Sequence, residues 1–193
     1  MNQFQFELQR CQGLVEVNLA AYFTQNVPQK TLLDAMRYSL LAGGKRIRPI
    51  LALKFCEAAG GSLEQALPYA CAVEMLHTYS LIHDDLPSMD NDDLRRGKPT
   101  NHKRFGECTA TLAGDALQAA AFETILTAPL PAEVNVAAGL TLARGAGALG
   151  MCGGQQLDME GETRIFTLKE VARMNQLKTG CLLNAACVMG VLA

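Results

Sequence analysis

An acidic run followed at once by cations is the part of this sequence best suited to chemistry. Residues 83–93 read His-Asp-Asp-Leu-Pro-Ser-Met-Asp-Asn-Asp-Asp, and two arginines and a lysine occur in residues 94–98. The five carboxylates repel one another at neutral pH, and a bound cation would cancel that repulsion. Carboxylates with open coordination positions suit Mg²⁺, which shares its ligands with substrate phosphates, and arginine forks match phosphate oxygens. The run therefore predicts a magnesium and diphosphate site.

A second group of cations lies earlier, in residues 45–49, which read Lys-Arg-Ile-Arg-Pro. The proline suits the first turn of a helix, and cations beside the free N–H groups of a helix N-terminus form an anion site. The same segment also fits a solvated basic turn, which its spacing alone favours. His77 presents a similar choice, because a single histidine on a helix is more often a hydrogen-bonded core residue than a ligand.

The element that must position the acidic run is a long helix opened by a capping box at residues 62–65. His77 and Asp84 are seven residues apart on this helix, so both lie on one face, about 10 Å apart along the axis. A proline follows soon after and cannot continue the helix, which therefore ends near Asp85. Asp90 must then return toward Asp84 from a loop.

Apolar residues at three- and four-residue steps, together with capping signals, predict seven helices in all. They begin near residues 8, 31, 49, 62, 109, 132 and 167. The second and the seventh are predicted to open with capping boxes at residues 31–34 and 167–170. The sequence has no internal repeat or domain linker, so residues 1–193 are predicted to form a single all-α domain.

Two later segments carry further expectations. The sixth helix is predicted to end near the stretch 150–154, after which Gln155 and Asp158 either face the same cavity as the acidic run or cap a loop. The last segment, residues 181–193, is apolar nearly all round and carries no stop signal. A helix of this kind must be buried, yet nothing follows to cover it. We therefore expect the chain to be cut short of its natural end.

Composition narrows the class of protein. The chain has 193 residues, of which 49% are hydrophobic, and a formal net charge of −2, which provides no basic field for nucleic acid. Neither a signal peptide nor an apolar run of transmembrane length is found, so we expect no membrane insertion. The seven cysteines form no Cys-x-x-Cys pair and are expected to be reduced core residues of a cytoplasmic protein.

Five motifs in a fixed order resemble those of the trans-isoprenyl diphosphate synthases, and in particular the bacterial farnesyl diphosphate synthase type. The matching stretches are residues 43–49, 74–85 with the acidic loop, 113–117, 153–155 and 178–180. The resemblance implies an isoprenoid synthase fold, a bundle of long antiparallel helices around a central cavity, here incomplete. It also implies a homodimer.

The chemistry implied by the resemblance is prenyl transfer in isoprenoid biosynthesis. An allylic diphosphate, dimethylallyl or geranyl, ionises with the help of Mg²⁺; isopentenyl diphosphate then condenses with the cation, and a proton is eliminated to give farnesyl diphosphate. Cations stabilise the negative charge on the leaving diphosphate, and apolar walls exclude water.

The resemblance also implies roles for individual residues. The expected magnesium ligands are Asp84 and Asp90. The expected catalytic residues are Lys178, Thr179 and Asp85, with Asp85 supporting the metal ligands. The residues matching the clamp for isopentenyl diphosphate are Lys45, Arg48, His77 and Arg96. Arg95 matches a contact to the allylic diphosphate, as do Lys178 and Thr179.

Product length is read from Tyr79, five residues before Asp84, and from the two-residue insertion in the acidic motif. By resemblance this combination is similar to enzymes that stop at fifteen carbons, because a bulky ring would form the floor of the pocket. Small residues at 79 and 80 would indicate a twenty-carbon product, and Ser80 is small. A geranylgeranyl diphosphate synthase therefore remains an alternative.

The second Asp-rich motif of the family is absent from this sequence, so we expect the 193-residue chain alone to be weak or inactive. A second alternative is a non-catalytic subunit that binds a prenyl synthase, which degraded substrate residues would favour. Those residues are intact here. A terpene cyclase shares one Asp-rich motif but has no use for the isopentenyl diphosphate clamp.

Overall fold

The computed structural model describes residues 2–193, and this part of the chain contains ten α-helices, one π-helical turn and a two-stranded antiparallel ribbon. The helices are α1 (Gln3–Ala20), α2 (Lys30–Leu40), α3 (Ile47–Ala58), α4 (Leu63–Asp84), α5 (Asn101–Phe105), α6 (Glu107–Leu126), α7 (Ala132–Ala146), α8 (Met151–Gly161), α9 (Leu168–Asn175) and α10 (Cys181–Leu192). The ribbon is β1 (Leu94–Arg95) with β2 (Lys98–Pro99), and the π-helical turn is Gln176–Gly180. The predicted all-α class is confirmed.

The long helix α4 is the centre of the bundle and packs against α3 on one side and α6 on another. Small residues of α6 allow this close approach: a Cβ added at Gly114 would lie 2.2 Å from Nε2 of His83. A buried hydrogen bond from the Tyr69 hydroxyl to Oδ1 of Asn135, 2.6 Å long, joins α4 to α7. These contacts hold the end of α4, which carries the acidic run, against rigid neighbours.

The apolar last segment packs into the bundle. One side of α10 lies against α3 and α7, and a Cβ added at Gly190 would lie 2.1 Å from the carbonyl oxygen of Ala52. Leu182 and Met189 are fully buried, while Val191 is exposed. The predicted burial is confirmed for one face of this helix only.

Two of the three predicted capping boxes are confirmed. Ser62 with Gln65 opens α4, and Thr167 with Glu170 opens α9. The box predicted at residues 31–34 is wrong, because α2 begins one residue earlier and its N-cap residue makes no side-chain cap. Asp34 instead forms an ion pair with Lys30, one helical turn earlier, at 2.8 Å.

Several boundaries differ from the prediction. The sixth predicted helix ends at Ala146, and the stretch expected to close it begins α8 instead, since a backbone turn of only four residues separates the two. The seventh is interrupted by the π-helical turn. The ribbon and α5 follow the acidic run and were not predicted, because strands of two residues leave no periodicity to read.

The structure can be compared with two expectations from composition, one on the cysteines and one on apolar runs of transmembrane length. All seven cysteines are free, as expected, but only Cys11, Cys56 and Cys71 are buried in the core. The expected core position is wrong for Cys108 and Cys152, which are exposed. The span Ala132–Gly161 is long and apolar enough to cross a membrane by length and composition alone, contrary to the expectation that no such run exists. The structure breaks that span into α7 and α8, and core helices pass the same test.

Candidate functional site

A cavity of about 530 Å³ lies between the end of α4, the start of α6, α8 and the π-helical turn. The predicted site residues that line it are Arg48, His77, Asp84, Lys178 and Thr179. Gln155 also lines it, which answers one of the two possibilities left open for that residue. The rest of the wall includes Leu81, Leu86 and three methionines, so most of the surface is apolar.

The acidic loop returns to its helix as predicted, since the backbone N–H of Asp90 donates to the Asp84 carbonyl oxygen at 2.9 Å. Burial raises the pKa of Asp84 to about 6, and the charges of Asp90 and Asp85 add to the effect, although Lys178 opposes it. A cation next to these carboxylates would favour their ionised form. The loop therefore provides a place for positive charge.

The donor set limits which cation would fit. Within residues 2–193, no group of three or more histidine, cysteine, aspartate or glutamate side chains is arranged to hold a metal ion. Asp84 and Asp90 offer two carboxylates beside an open cavity. This arrangement fits Mg²⁺, which keeps several waters and completes its shell with substrate phosphates.

Asp85 and Arg95 form an ion pair beside the cavity rather than on its wall. Arg95 donates from Nε to both carboxylate oxygens of Asp85, at 2.8 and 2.9 Å, and its Nη2 lies 2.6 Å from Oδ1. Asp85 is buried, which raises its pKa despite the pairing. Neither residue is among those that line the large cavity.

The four predicted clamp residues meet in one pocket, together with Gly44 and Glu74. The predicted members are Lys45, Arg48, His77 and Arg96. Nη1 of Arg48 lies 3.4 Å from Nε2 of His77, and burial, with the nearby arginines, lowers the pKa of His77 to about 3. His77 is therefore neutral at physiological pH. Nε of Arg48 is buried without a partner in the part of the chain that the structure describes, which leaves a donor available to a ligand.

Gly44 makes room for Arg96 in this pocket. A Cβ added at Gly44, where φ is +129°, would lie 2.6 Å from Nη1 of Arg96. The guanidinium therefore packs directly on the glycine. Of the two interpretations left open for the basic segment, this packing favours the anion site over the solvated turn.

Lys178 is carried by the π-helical turn, a form often found at functional sites. Its Nζ lies 2.5 Å from Oδ2 of Asp158, so Asp158 holds this lysine rather than capping a loop. The backbone of α8 can pack closely on the π-helical turn because residue 154 is glycine. A Cβ at this position would lie 2.1 Å from the backbone nitrogen of Lys178.

Tyr79 lies in the cavity wall, where its hydroxyl is 3.5 Å from Sγ of Cys152. Its ring meets the His83 ring edge-on, with centroids 5.2 Å apart. Burial, with the Cys152 thiol beside it, raises the pKa of Tyr79, so the hydroxyl stays neutral. The tyrosine and the cysteine are therefore neighbours in the cavity wall.

Sequence reasoning missed Glu74 as a buried ion-pair partner, and it did not identify Lys178 as the partner of Asp158. Glu74 is buried and hydrogen-bonded to Arg46 at 2.6 Å. A single acidic residue within the apolar run 70–76 was the signal for a buried partner. No comparable signal in the sequence pairs Asp158 with Lys178, because the two residues lie on separate elements that only the tertiary fold brings together.

Comparison with known proteins gives a consistent result. The polyprenyl synthetase family model matches residues 29–193. A farnesyl diphosphate synthase of Micrococcus luteus is 54% identical over 160 residues, which cover 83% of this chain and 55% of the relative. A geranylgeranyl diphosphate synthase of Cyanophora paradoxa is 54% identical over 164 residues, with the same coverage of 83% and 55%.

Among solved structures, a geranyltransferase from Legionella pneumophila superposes with a TM-score of 0.94 at 38% sequence identity. The match covers 100% of this chain and 70% of that structure. The chain thus spans just over half the length of the two curated relatives, 55% of each. Its helical bundle is that of the isoprenoid synthases, and the chain belongs to the polyprenyl synthetase family.

Proposed function

We propose that this protein is a prenyltransferase of isoprenoid biosynthesis that condenses isopentenyl diphosphate with dimethylallyl or geranyl diphosphate to give farnesyl diphosphate. The observation that carries the proposal is one largely apolar cavity whose lining includes Asp84, Lys178 and the Arg48–His77 pair. Carboxylates for a cation, cations for phosphates and an apolar wall for a hydrocarbon chain are what this reaction needs.

The first chemical step breaks the bond between carbon and oxygen in the allylic diphosphate, and negative charge develops on the leaving diphosphate. Lys178 lies where it can stabilise that charge, with Thr179 beside it. Mg²⁺ held by Asp84 and Asp90 would supply further electrostatic stabilisation of the same diphosphate. Asp85 orients Arg95 at the edge of this region.

The clamp residues hold the second substrate. Lys45, Arg48 and Arg96 offer charged donors to the diphosphate of isopentenyl diphosphate, and neutral His77 can share a proton with it. The double bond of this substrate attacks the allylic cation, forming a carbon–carbon bond, and a proton then leaves the new cation. The apolar wall excludes water that would otherwise capture the cation.

Fifteen carbons is the proposed product length, and it is supported by the bulky ring of Tyr79, which lies in the cavity wall in contact with the thiol of Cys152. A geranylgeranyl diphosphate synthase is the second candidate, favoured by the relative of that name at 54% identity. The non-catalytic subunit is less well supported, because the clamp and the acidic motif are intact.

Further proposals concern partners and location. We infer a homodimer: the outer faces of α6 and α7 expose Leu112, Leu126, Val136 and Leu140, which a second copy could cover. A cytoplasmic location, no membrane insertion and no nucleic-acid partner complete the proposal. Sedimentation of the purified chain would measure the oligomeric state.

The product assay uses labelled isopentenyl diphosphate with geranyl diphosphate and Mg²⁺, and sizes the products after dephosphorylation. We expect little or no turnover from the 193-residue chain alone. A chimera in which this chain replaces the matching region of the Micrococcus luteus relative should make a fifteen-carbon product, and chelation of Mg²⁺ should abolish it. A twenty-carbon product from the chimera would favour the second candidate, and an inert chimera would favour the non-catalytic subunit.

Tyr79→Ala in the same chimera tests the floor of the cavity. Loss of the ring should open the pocket and lengthen the product by one isoprene unit. Tyr79→Phe keeps the ring and removes only the hydroxyl, so it serves as the matched control and should keep the fifteen-carbon product. A fifteen-carbon product from Tyr79→Ala would show that the tyrosine does not limit the chain.

A further inference from the structure

Glu74 is out of place in a pocket built for an anion. It is the acidic member of the clamp pocket, whose other charged members are Lys45, Arg46, Arg48 and Arg96. Only 2% of the Glu74 surface is exposed, so water cannot screen its charge. Without compensation, this carboxylate would repel the diphosphate that the clamp is proposed to bind.

Arg46 supplies the compensation from the inner side of the pocket. Its Nη1 lies 2.6 Å from Oε1 of Glu74, its Nε lies 2.7 Å from Oε1 of Glu16, and its Nη2 lies 2.7 Å from the Leu40 carbonyl oxygen. The side chain has no exposed surface. Each nitrogen of the guanidinium is therefore bound to a different helix: α4, α1 and α2.

The backbone at Arg46 is also unusual. Its φ of +50° and ψ of +35° are left-handed, and they occur at the residue that caps α3. Such a conformation persists in a residue other than glycine only where its surroundings hold it. The turn directs the Arg46 side chain to the fully buried inner side of the pocket, which Lys45 before it and Arg48 after it also line.

We propose that Arg46 is a positioning residue for the diphosphate clamp, which it serves by neutralising Glu74 and by holding the turn that presents Lys45 and Arg48. The inference rests on the proposed function, since it takes the ligand to be a diphosphate. Arginine is suited to this role because its planar fork satisfies three acceptors on three elements, which a lysine ammonium cannot match in geometry.

The test is calorimetric titration of inorganic diphosphate into the chain, with EDTA present so that the clamp is measured without the metal site. Arg46→Gln leaves the Glu74 carboxylate uncompensated and should weaken binding about tenfold or more. Arg46→Gln with Glu74→Gln removes the buried pair of charges and leaves only Glu16 without its partner. Because the Glu16 side chain is 34% exposed, water screens its charge, and the double variant should restore the dissociation constant to within about threefold of the wild type. Circular dichroism monitors folding of each variant.

Two controls separate this role from simple stability. Tyr69→Phe breaks the buried bond to Asn135 away from the clamp and should leave diphosphate affinity unchanged. Glu74→Gln keeps an acceptor for Arg46 but removes the negative charge, so it should tighten binding about threefold or more. This variant decides the question if Arg46→Gln does not fold.

The outcomes distinguish the inference from the function on which it rests. A wild-type chain that binds no diphosphate overturns both. If the wild type binds but Arg46→Gln binds equally well, or the double variant stays as weak as the single one, the inference alone is overturned. Glu74→Gln without a gain in affinity has the same consequence.

Discussion

Two arginine pairs lie beside α4, and in each pair one arginine is held by a carboxylate of this helix region while the other faces the clamp pocket. Arg46 turns inward to a glutamate of that helix, while Arg48 lines the clamp pocket. Arg95 turns inward to Asp85, while Arg96 lines the clamp pocket. The inward members differ in burial, because the Arg46 side chain has 0% of its surface exposed and that of Arg95 has 33%.

In both arginine pairs, residues with left-handed backbone conformation turn the chain so that the two side chains point in different directions. Arg46 has φ of +50°, and the turn between β1 and β2 consists of Arg96 at +53° and Gly97 at +75°. A two-residue turn with positive φ at both positions is the preferred hairpin connection. Full burial on three helices makes Arg46 a fixed part of the fold. Arg95 has a third of its side chain exposed at the edge of the acidic loop, and we propose that it can exchange its carboxylate for a ligand.

The largest expected effect comes from breaking the fixed pair. Arg46→Ala leaves a buried carboxylate without its partner, which should lower the free energy of unfolding by about 3–5 kcal/mol in urea titration. Arg10→Ala removes an exposed ion pair with Glu7, in which the two atoms are 3.1 Å apart, and should lower the free energy of unfolding by less than about 1 kcal/mol. Equal losses from the two variants would mean that burial does not distinguish the pairs.

The exchangeable pair should matter less to stability. Arg95→Ala leaves Asp85 buried, but solvent reaches the arginine side, so we expect a loss of about 2 kcal/mol. Asp85→Asn with the same substitution removes both charges and should recover part of the loss. Urea titration of the three proteins measures this, and a loss as large as that of Arg46→Ala would contradict the proposed difference.

Much of this arrangement was predictable from the sequence. The end of α4 and the return of Asp90 followed from a proline and a periodicity, because both act within one turn of the chain. The large cavity contains Arg48, His77 and Lys178, which the motifs indicated. Local rules and ordered motifs succeed where neighbouring residues determine the geometry.

The inward direction of Arg46 and Arg95 was not predictable in this way. Nothing in a run of cations says which one faces the core, since that depends on a carboxylate 28 residues away for Arg46 and 10 residues away for Arg95. Similarly, the π-helical turn that directs Lys178 depends on close packing against Gly154. Tertiary contacts decide these features, and no periodicity records them.

A substitution at Gly44 should displace Arg96, the arginine that faces the clamp pocket. Gly44→Ala places a Cβ 2.6 Å from Nη1 of Arg96, so it should weaken binding of inorganic diphosphate about tenfold. Gly43→Ala introduces the same methyl group at φ of +82° with nothing within 4 Å, so it carries backbone strain without the clash. Calorimetry on both variants compares them. Equal losses would assign the effect to the strained turn and not to the position of Arg96.

The smallest expected effect is a pH dependence at His77, which lies between the two outward arginines. Burial and these cations hold its pKa at about 3, against 6.5 for an exposed histidine. Between pH 6.5 and 3, His77 therefore binds a proton in the unfolded chain but not in the folded chain. The free energy of unfolding falls as the pH falls through this range. His77→Gln should reduce that fall between pH 6.5 and 5.5 by about 1 kcal/mol, measured by urea titration at each pH. Most carboxylates stay ionised in this window, so the difference between the two proteins isolates the histidine. An identical slope would mean that the clamp accommodates a charged imidazole and that its arginines do not crowd it.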